Sequence, residues 1–149
     1  MVAGSDPLVP EAILHASCVA LADKAVLIRG ASGSGKSALA LELITRGAKL
    51  VADDRTCLSC ADGAVFAFAP QSLLGMIEAR CVGILKADPA PPTQISLVVD
   101  MDQVETDRLP PERSCDLLGQ ELPLLHKVAS AHFPAAVTQY LLSGPWIPK

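Results

Sequence analysis

The residues of this chain whose types and spacing most clearly suit chemistry are Gly30-Ala31-Ser32-Gly33-Ser34-Gly35-Lys36-Ser37. They spell Gly-x-x-x-x-Gly-Lys-Ser between an apolar run, Ala25-Val-Leu-Ile28, and a run rich in Ala, Leu and Glu. Each residue type answers a need of phosphate binding. Glycines at 30, 33 and 35 let the backbone turn its N–H groups inward, with no side chain in the way. A helix that starts here adds partial positive charge. Lys36 is expected to reach the β- and γ-phosphates, and Ser37 Oγ to ligate Mg²⁺. The pattern predicts a P-loop that holds ATP or a similar nucleotide with Mg²⁺, residues 30 to 37 forming the cradle. A merely glycine-rich turn is the plainer alternative, and the strand–loop–helix context favours the P-loop.

Such a site also needs a carboxylate to organise the metal. Asp100 closes the apolar run Ile95-Ser-Leu-Val-Val, and Asp53 and Asp54 close Leu50-Val-Ala. Adjacent acids on a strand alternate sides, so one could orient Mg²⁺ while the other serves as base to a hydroxyl. Asp100 alone offers only the metal role. The pair is favoured, with both readings open at this point. The chain has no Asn/Thr-Lys-x-Asp motif for guanine, no transporter-ATPase signature and no arginine-rich lid of the small-molecule-kinase kind.

The 149 residues suit one domain with a sizeable core, and half of them are apolar. We expect a flexible N-terminus over 1–10 and a single P-loop domain over 11–149. The net charge of −4 argues against nucleic acid, which rewards a cationic face. No apolar run approaches the ~20 residues that span a bilayer, and the N-terminus has no signal-peptide pattern. The five cysteines are an odd number on mostly apolar segments, which suits a cytoplasmic protein with free thiols. Cys57-Leu-Ser-Cys60 has the spacing of half a zinc site, but no second pair completes it. Two strand residues ahead of a turn is the better reading.

The elements that must position the loop read as a mixed, strand-rich α/β fold. Strands are expected over Ile13–Leu21, with a turn at Asp23-Lys24, then over Ala25–Ile28 and Lys49–Asp54. Thr56–Cys60 and Ala64–Phe68 flank Ala61-Asp62-Gly63, a hairpin signal. Lys36–Arg46 is a helix stopped by Gly47. A strand or turn region follows over Leu73–Lys86. Asp88–Thr93, with three prolines, reads as extended loop outside any ladder. Ile95–Asp100 is a further strand, and a polar loop then carries Asp107-Arg108 and Pro110-Pro111. A weaker strand near Leu117–Leu125 and a helix from about Ser130 to Leu142 complete the chain.

His15-Ala16, Val26 to Ser37, Ala40 to Gly47 and Leu50-Val-Ala-Asp-Asp54 form an ordered series, followed by Met76-Ile77-Glu78-Ala79-Arg80 and Thr106-Asp107-Arg108-Leu109. Together they resemble the catalytic domain of bacterial HPr kinase/phosphorylase, over roughly Ile13 to Leu109, in a short form without that family's N-terminal domain. The resemblance implies transfer of phosphate from ATP, with Mg²⁺, to a serine of an HPr-like carrier protein of the phosphotransferase system. It also implies reversal by phosphorolysis with release of pyrophosphate, and assembly as a hexamer. Carried over, Lys36 binds phosphate, Ser37 and Glu78 ligate Mg²⁺, and Asp53 supports the metal through water. Asp54 becomes the base, His15 tunes its protonation, and Arg108 steadies the transferring phosphate. The family's His-Gly is His15-Ala16 here, its Glu-x-Arg-Gly ends in Cys81, and the glycine after Asp-Arg-Leu is Pro110. No Gly-Arg-Asn segment, associated with the reverse reaction, follows Leu125. A P-loop small-molecule kinase using Asp100, or an ATP-sensing module without catalysis, are the alternative functions.

Overall fold

The computed structural model describes residues 9–148; most of the N-terminal stretch expected to be flexible lies outside them. At the centre lie two strongly apolar stretches, β3 (Lys24–Arg29) and β9 (Thr93–Val104). They pair in parallel, Val26 opposite Leu97 and Ile28 opposite Val99, with Ser96 as an extra residue that resets the register. Around them one nine-stranded sheet runs β1 (Ala12–Leu14), β5 (Thr56–Ala61), β6 (Ala64–Phe68), β9, β3, β2 (Ala16–Leu21) and β4 (Lys49–Ala52). β11 (Gln120–Lys127) adds in parallel beside β9 and carries β10 (Ser114–Leu117) on its other edge. A separate hairpin pairs β7 (Met76–Ala79) with β8 (Gly83–Lys86).

Both faces of the central strands are covered, which is why Ala25–Ile28 and Leu97–Val99 run apolar without alternating. Val26, Ile28, Leu97, Val99 and Met101 face helices α1 (Lys36–Thr45) and α2 (Phe133–Ser143). Ala25, Leu27, Ile95 and Val98 face a second core closed by Leu58, Val65 and Ala67. On α1, Leu39, Ala40 and Leu43 are buried at i, i+1 and i+4. Burying each leucine side chain stabilises the contact by about 2 kcal/mol. This anchors the helix whose first turn carries Lys36 and Ser37. Ala38, Glu42 and Thr45 form an exposed stripe, so α1 is less enclosed than its composition implies.

The structure departs from the expected elements in ways that bear on the site. The strand expected over Ile13–Leu21 breaks at His15: Ile13 pairs with Cys57 of β5, whereas Ala16 onward pairs with β3. The chain changes partner strands at that residue, which a continuous apolar pattern conceals. β4 stops at Ala52, so Asp53 and Asp54 lie in a bend beyond the strand. β9 runs on to Val104, placing Asp100 inside the strand and not at its end. The weak C-terminal strand is a hairpin, β10–β11, turning at Leu118-Gly119 with positive φ at both residues. In the proline loop, Asp88 O accepts from Leu50 N and Ala90 N donates to Leu50 O, at 2.9 and 2.7 Å. Pro89 thereby sits in a parallel bridge without an N–H, because its neighbours supply both bonds.

Candidate active site

The phosphate loop joins the C-terminal end of β3 to α1. Gly30 has φ +150°, and a Cβ there would lie 2.6 Å from Ser34 Oγ and 3.0 Å from Met101 Cβ. Only glycine lets the loop close on itself and on β9. Ala31 O accepts from Ser34 N at 3.0 Å, forming a tight turn, and from Lys36 Nζ at 3.1 Å. The first intrahelical bond of α1 is Leu39 N–H to Gly35 O at 3.0 Å. The N–H groups of Lys36, Ser37 and Ala38 therefore stand outside the ladder, at the positive end of the helix. A Cβ on Gly33 would meet nothing nearer than Arg80 Nη2 at 4.0 Å, so the mouth of the cradle is open. The geometry is that of an anion site made of backbone donors and one lysine.

Backbone conformation sets Asp53 and Asp54 facing different surroundings. Asp54 has φ +67°, a left-handed conformation that Asp and Asn adopt more readily than other side chains. Ala16 N–H donates to Asp54 O at 3.1 Å and Arg55 N–H to Asp53 O at 2.7 Å, which holds the bend. As a result Asp53 turns inward and is buried, whereas the Asp54 side chain is 63% exposed. The two acids diverge by this bend, not by strand alternation. Asp53 Oδ1 accepts from Ser17 Oγ at 2.8 Å and from Ser37 Oγ at 2.7 Å, and Oδ2 from Glu78 N–H at 3.0 Å. A serine whose proton is committed to a carboxylate keeps its lone pairs free for a cation. His15 Nε2 lies 2.6 Å from Asp54 Oδ1, so the break between β1 and β2 delivers the imidazole to the exposed acid.

The residues expected at the metal are thus gathered by one carboxylate. Ser37, Asp53 and the backbone of Glu78 meet, and the Glu78 side chain is exposed on β7 beside them. Hydroxyl and carboxylate oxygens are the hard donors that suit Mg²⁺, which usually keeps water and substrate phosphates as its other ligands. Among the described residues no group of three or more His, Cys, Asp or Glu could hold a metal by itself. Cys57 and Cys60 lie on β5 as free thiols, Cys57 with its pKa raised by burial. Asp100 is not brought to the loop. It shares the face of Val98, opposite α1, and its oxygens meet Asp102 N at 2.9 Å and Arg29 Nη2 at 3.7 Å.

Arg108 lies on the exposed loop that leaves β9 at the same end of the sheet as the phosphate loop, and it makes no ion pair or hydrogen bond among the described residues. The base of that loop is fixed by Glu105, whose side chain is only 7% exposed. Its oxygens accept from Arg113 Nε and Nη2 at 3.1 and 3.0 Å and from the Thr106 and Asp107 N–H groups at 3.2 Å. The Arg113 hydrogen bond leads in holding the Glu105 carboxyl below its ordinary range. A lowered folded-state value means that this stabilisation is present above the unfolded value, about 4.3, and is lost as pH falls through the folded one. Thr106 and Asp107 amides are therefore expected to be protected from hydrogen exchange at neutral pH. Their protection factors should drop on acidification as Glu105 takes up its proton, below the ordinary glutamate range; Glu105→Gln should show low protection throughout.

Three contacts at the site involve residues to which the sequence reading gave no role. Ser17 is the one hydroxyl in the apolar run Ala16–Leu21. Its burial was the available signal, since a buried polar side chain needs a partner. Asp102 accepts from the Ala31 N–H through both oxygens, at 2.9 and 3.0 Å, and Lys127 Nζ reaches Ser34 O at 3.4 Å. Neither carried a local signal.

A family model described as the HPr Serine kinase C-terminal domain matches residues 6–126. The HPr kinase/phosphorylase of Clostridium botulinum (strain Eklund 17B / Type B) is 42% identical over 81 residues, covering 54% of this chain and 27% of the relative. That of Limosilactobacillus reuteri (strain DSM 20016) is 39% identical over 114 residues, covering 68% of this chain and 36% of the relative. The chain therefore spans about a quarter to a third of the length of these curated relatives. In fold it resembles the HPr(Ser) kinase/phosphatase of Coxiella burnetii, with a TM-score of 0.74 at 23% identity, over 89% of this chain and 94% of that one. The matched region holds the phosphate loop, the Asp53-Asp54 bend and the β7 hairpin, while α2 lies beyond it and packs Phe133, Val137 and Leu141 into the same core. The chain belongs to the HPr serine kinase C-terminal domain family.

Proposed function

We propose that this chain is an ATP- and Mg²⁺-dependent serine kinase acting on an HPr-like phosphocarrier protein, able also to remove the phosphate by phosphorolysis. The observation that carries the reading is the division of labour at Asp53-Asp54. One acid faces the phosphate loop through Ser37, and its neighbour faces solvent beside His15. Lys36 and the N-terminal amides of α1 bind the phosphates. Ser37, Asp53 and Glu78 would hold Mg²⁺, which supplies neutralisation of phosphate charge when bound. Asp54 takes the proton of the incoming serine hydroxyl as that oxygen bonds to the γ-phosphorus and the bond to ADP breaks. In reverse, inorganic phosphate attacks the phosphoserine, Asp54 returns the proton to the serine oxygen, and pyrophosphate leaves. His15 fixes the orientation of Asp54, and Arg108 closes on the transferring phosphate from the Glu105-anchored loop. The inward turn of Asp100 to Arg29 weighs against the alternative of a small-molecule kinase built on that residue.

A protein substrate explains why the base is exposed: a folded partner must bring its serine to Asp54, and no enclosed chamber is needed. The free cysteines suit a reducing cytoplasm, and the family resemblance favours a hexamer. The test is incubation with ATP, Mg²⁺ and a purified HPr-like carrier, followed by the carrier's intact mass. One added phosphate, removed again by inorganic phosphate with release of pyrophosphate, is the expected result. An unmodified carrier in the presence of bound ATP would overturn the kinase reading.

A further inference from the structure

An excursion in β9 brings a second lysine to the phosphate loop. β11 pairs with β9 up to His126 opposite Asp100, and the next residue, Lys127, stands opposite Val104. Met101, Asp102 and Gln103 are looped out between them. One consequence is that Asp102 reaches the Ala31 N–H. Another is that Lys127, at the end of β11, reaches across to Ser34 O. The four-residue turn Ala31–Ser34 is thus held at its first amide by an anion and at its last carbonyl by a cation.

The contact of Lys127 with the loop is long, 3.4 Å, and occupies one of three ammonium donors. No carboxylate lies within ion-pair distance of Lys127 among the described residues. Its resting state resembles that of Lys36, which waits on the carbonyl of Ala31 at the other end of the same turn. Ser34 Oγ, beneath this turn, is the buried side-chain oxygen without a hydrogen-bond partner among the described residues. A partly buried ammonium without a counter-charge, beside backbone donors that bind anions, is a group whose charge remains to be matched.

We infer that Lys127 is a second phosphate-binding lysine of this site, moving from Ser34 O to the polyphosphate chain of the bound nucleotide. This rests on the reading of the loop as a nucleotide site. The residue comes from β11, so the loop would be closed by a strand on the far side of β9 from β3 and not only by its own helix. The experiment is calorimetric titration of ATP into wild type, Lys127→Met, Lys127→Arg and Lys36→Ala, at low and high salt, with thermal midpoints recorded. Lys127→Met should weaken ATP binding about tenfold, the low end for a charge-assisted hydrogen bond, and should flatten the salt dependence. Lys127→Arg should retain most of the affinity, and neither change should move the midpoint. Wild-type affinity in Lys127→Met, with Lys36→Ala weakened, would overturn the inference and leave the nucleotide reading standing. An arginine variant as weak as the methionine one would also overturn it, since charge would then not be the cause. Absence of ATP binding by wild type would overturn both.

Discussion

Asp54→Asn is expected to slow phosphoryl transfer to the carrier by about 10²- to 10⁴-fold, the usual contribution of a positioned general base, with ATP affinity unchanged. The choice of Asn follows from the backbone. Asp54 has φ +67°, which Asn tolerates, whereas Ala there adds about 1–2 kcal/mol of strain and would confound a loss of activity with a shifted bend. Asn also keeps a partner for His15 at the 2.6 Å contact. What it removes is the ability to accept a proton. The side chain is 63% exposed and Asp53, not Asp54, bonds Ser37, so the phosphate loop is untouched. Carrier phosphorylation followed by intact mass, beside an ATP titration, reads both quantities. Transfer at the wild-type rate would remove Asp54 from the role of base.

Lys36→Ala should weaken ATP binding by about 10- to 100-fold, as expected for loss of a charged hydrogen-bond donor to phosphate, and should suppress transfer with it. The same change should leave folding stability level or slightly raised. Lys36 is only 6% exposed, and its ammonium is held by one neutral partner, Ala31 O, at 3.1 Å. A buried cation without an anion costs desolvation energy that folding must offset, and an apolar replacement is relieved of that cost. The opposite signs on affinity and stability separate a binding lysine from a structural one. Calorimetric titration and a thermal melt check them; unchanged affinity would show that the loop is not a phosphate site.

The phosphate loop was legible because its chemistry is local. Gly30, Gly33, Gly35, Lys36 and Ser37 lie within eight residues, and the conformations they need follow from residue type. The Asp62-Gly63 hairpin and the stop of α1 at Gly47 were legible for the same reason, as turn chemistry over a few residues. The Asp53-Asp54 pair was legible as two acids closing an apolar run, and the family resemblance told the two apart and added His15, Glu78 and Arg108, which no periodicity singles out. His15 looked like a residue inside one strand, because an apolar run does not reveal that its two halves pair with different strands. Asp100 looked like a strand end, because alternation cannot show that β9 loops out three residues and continues to Val104.

By itself, then, the sequence determined that this protein carries a Gly-x-x-x-x-Gly-Lys-Ser loop between a buried strand and a helix, in a strand-rich α/β domain. The tertiary structure decided which acid faces the loop and which faces solvent, through a left-handed bend at Asp54 braced by Ala16 and Ser17. It also decided that Asp102 and Lys127 meet the loop at all. Local conformational preference is written in a few neighbouring residues, whereas strand register, bulges and the side chains they bring together depend on pairing across the whole chain.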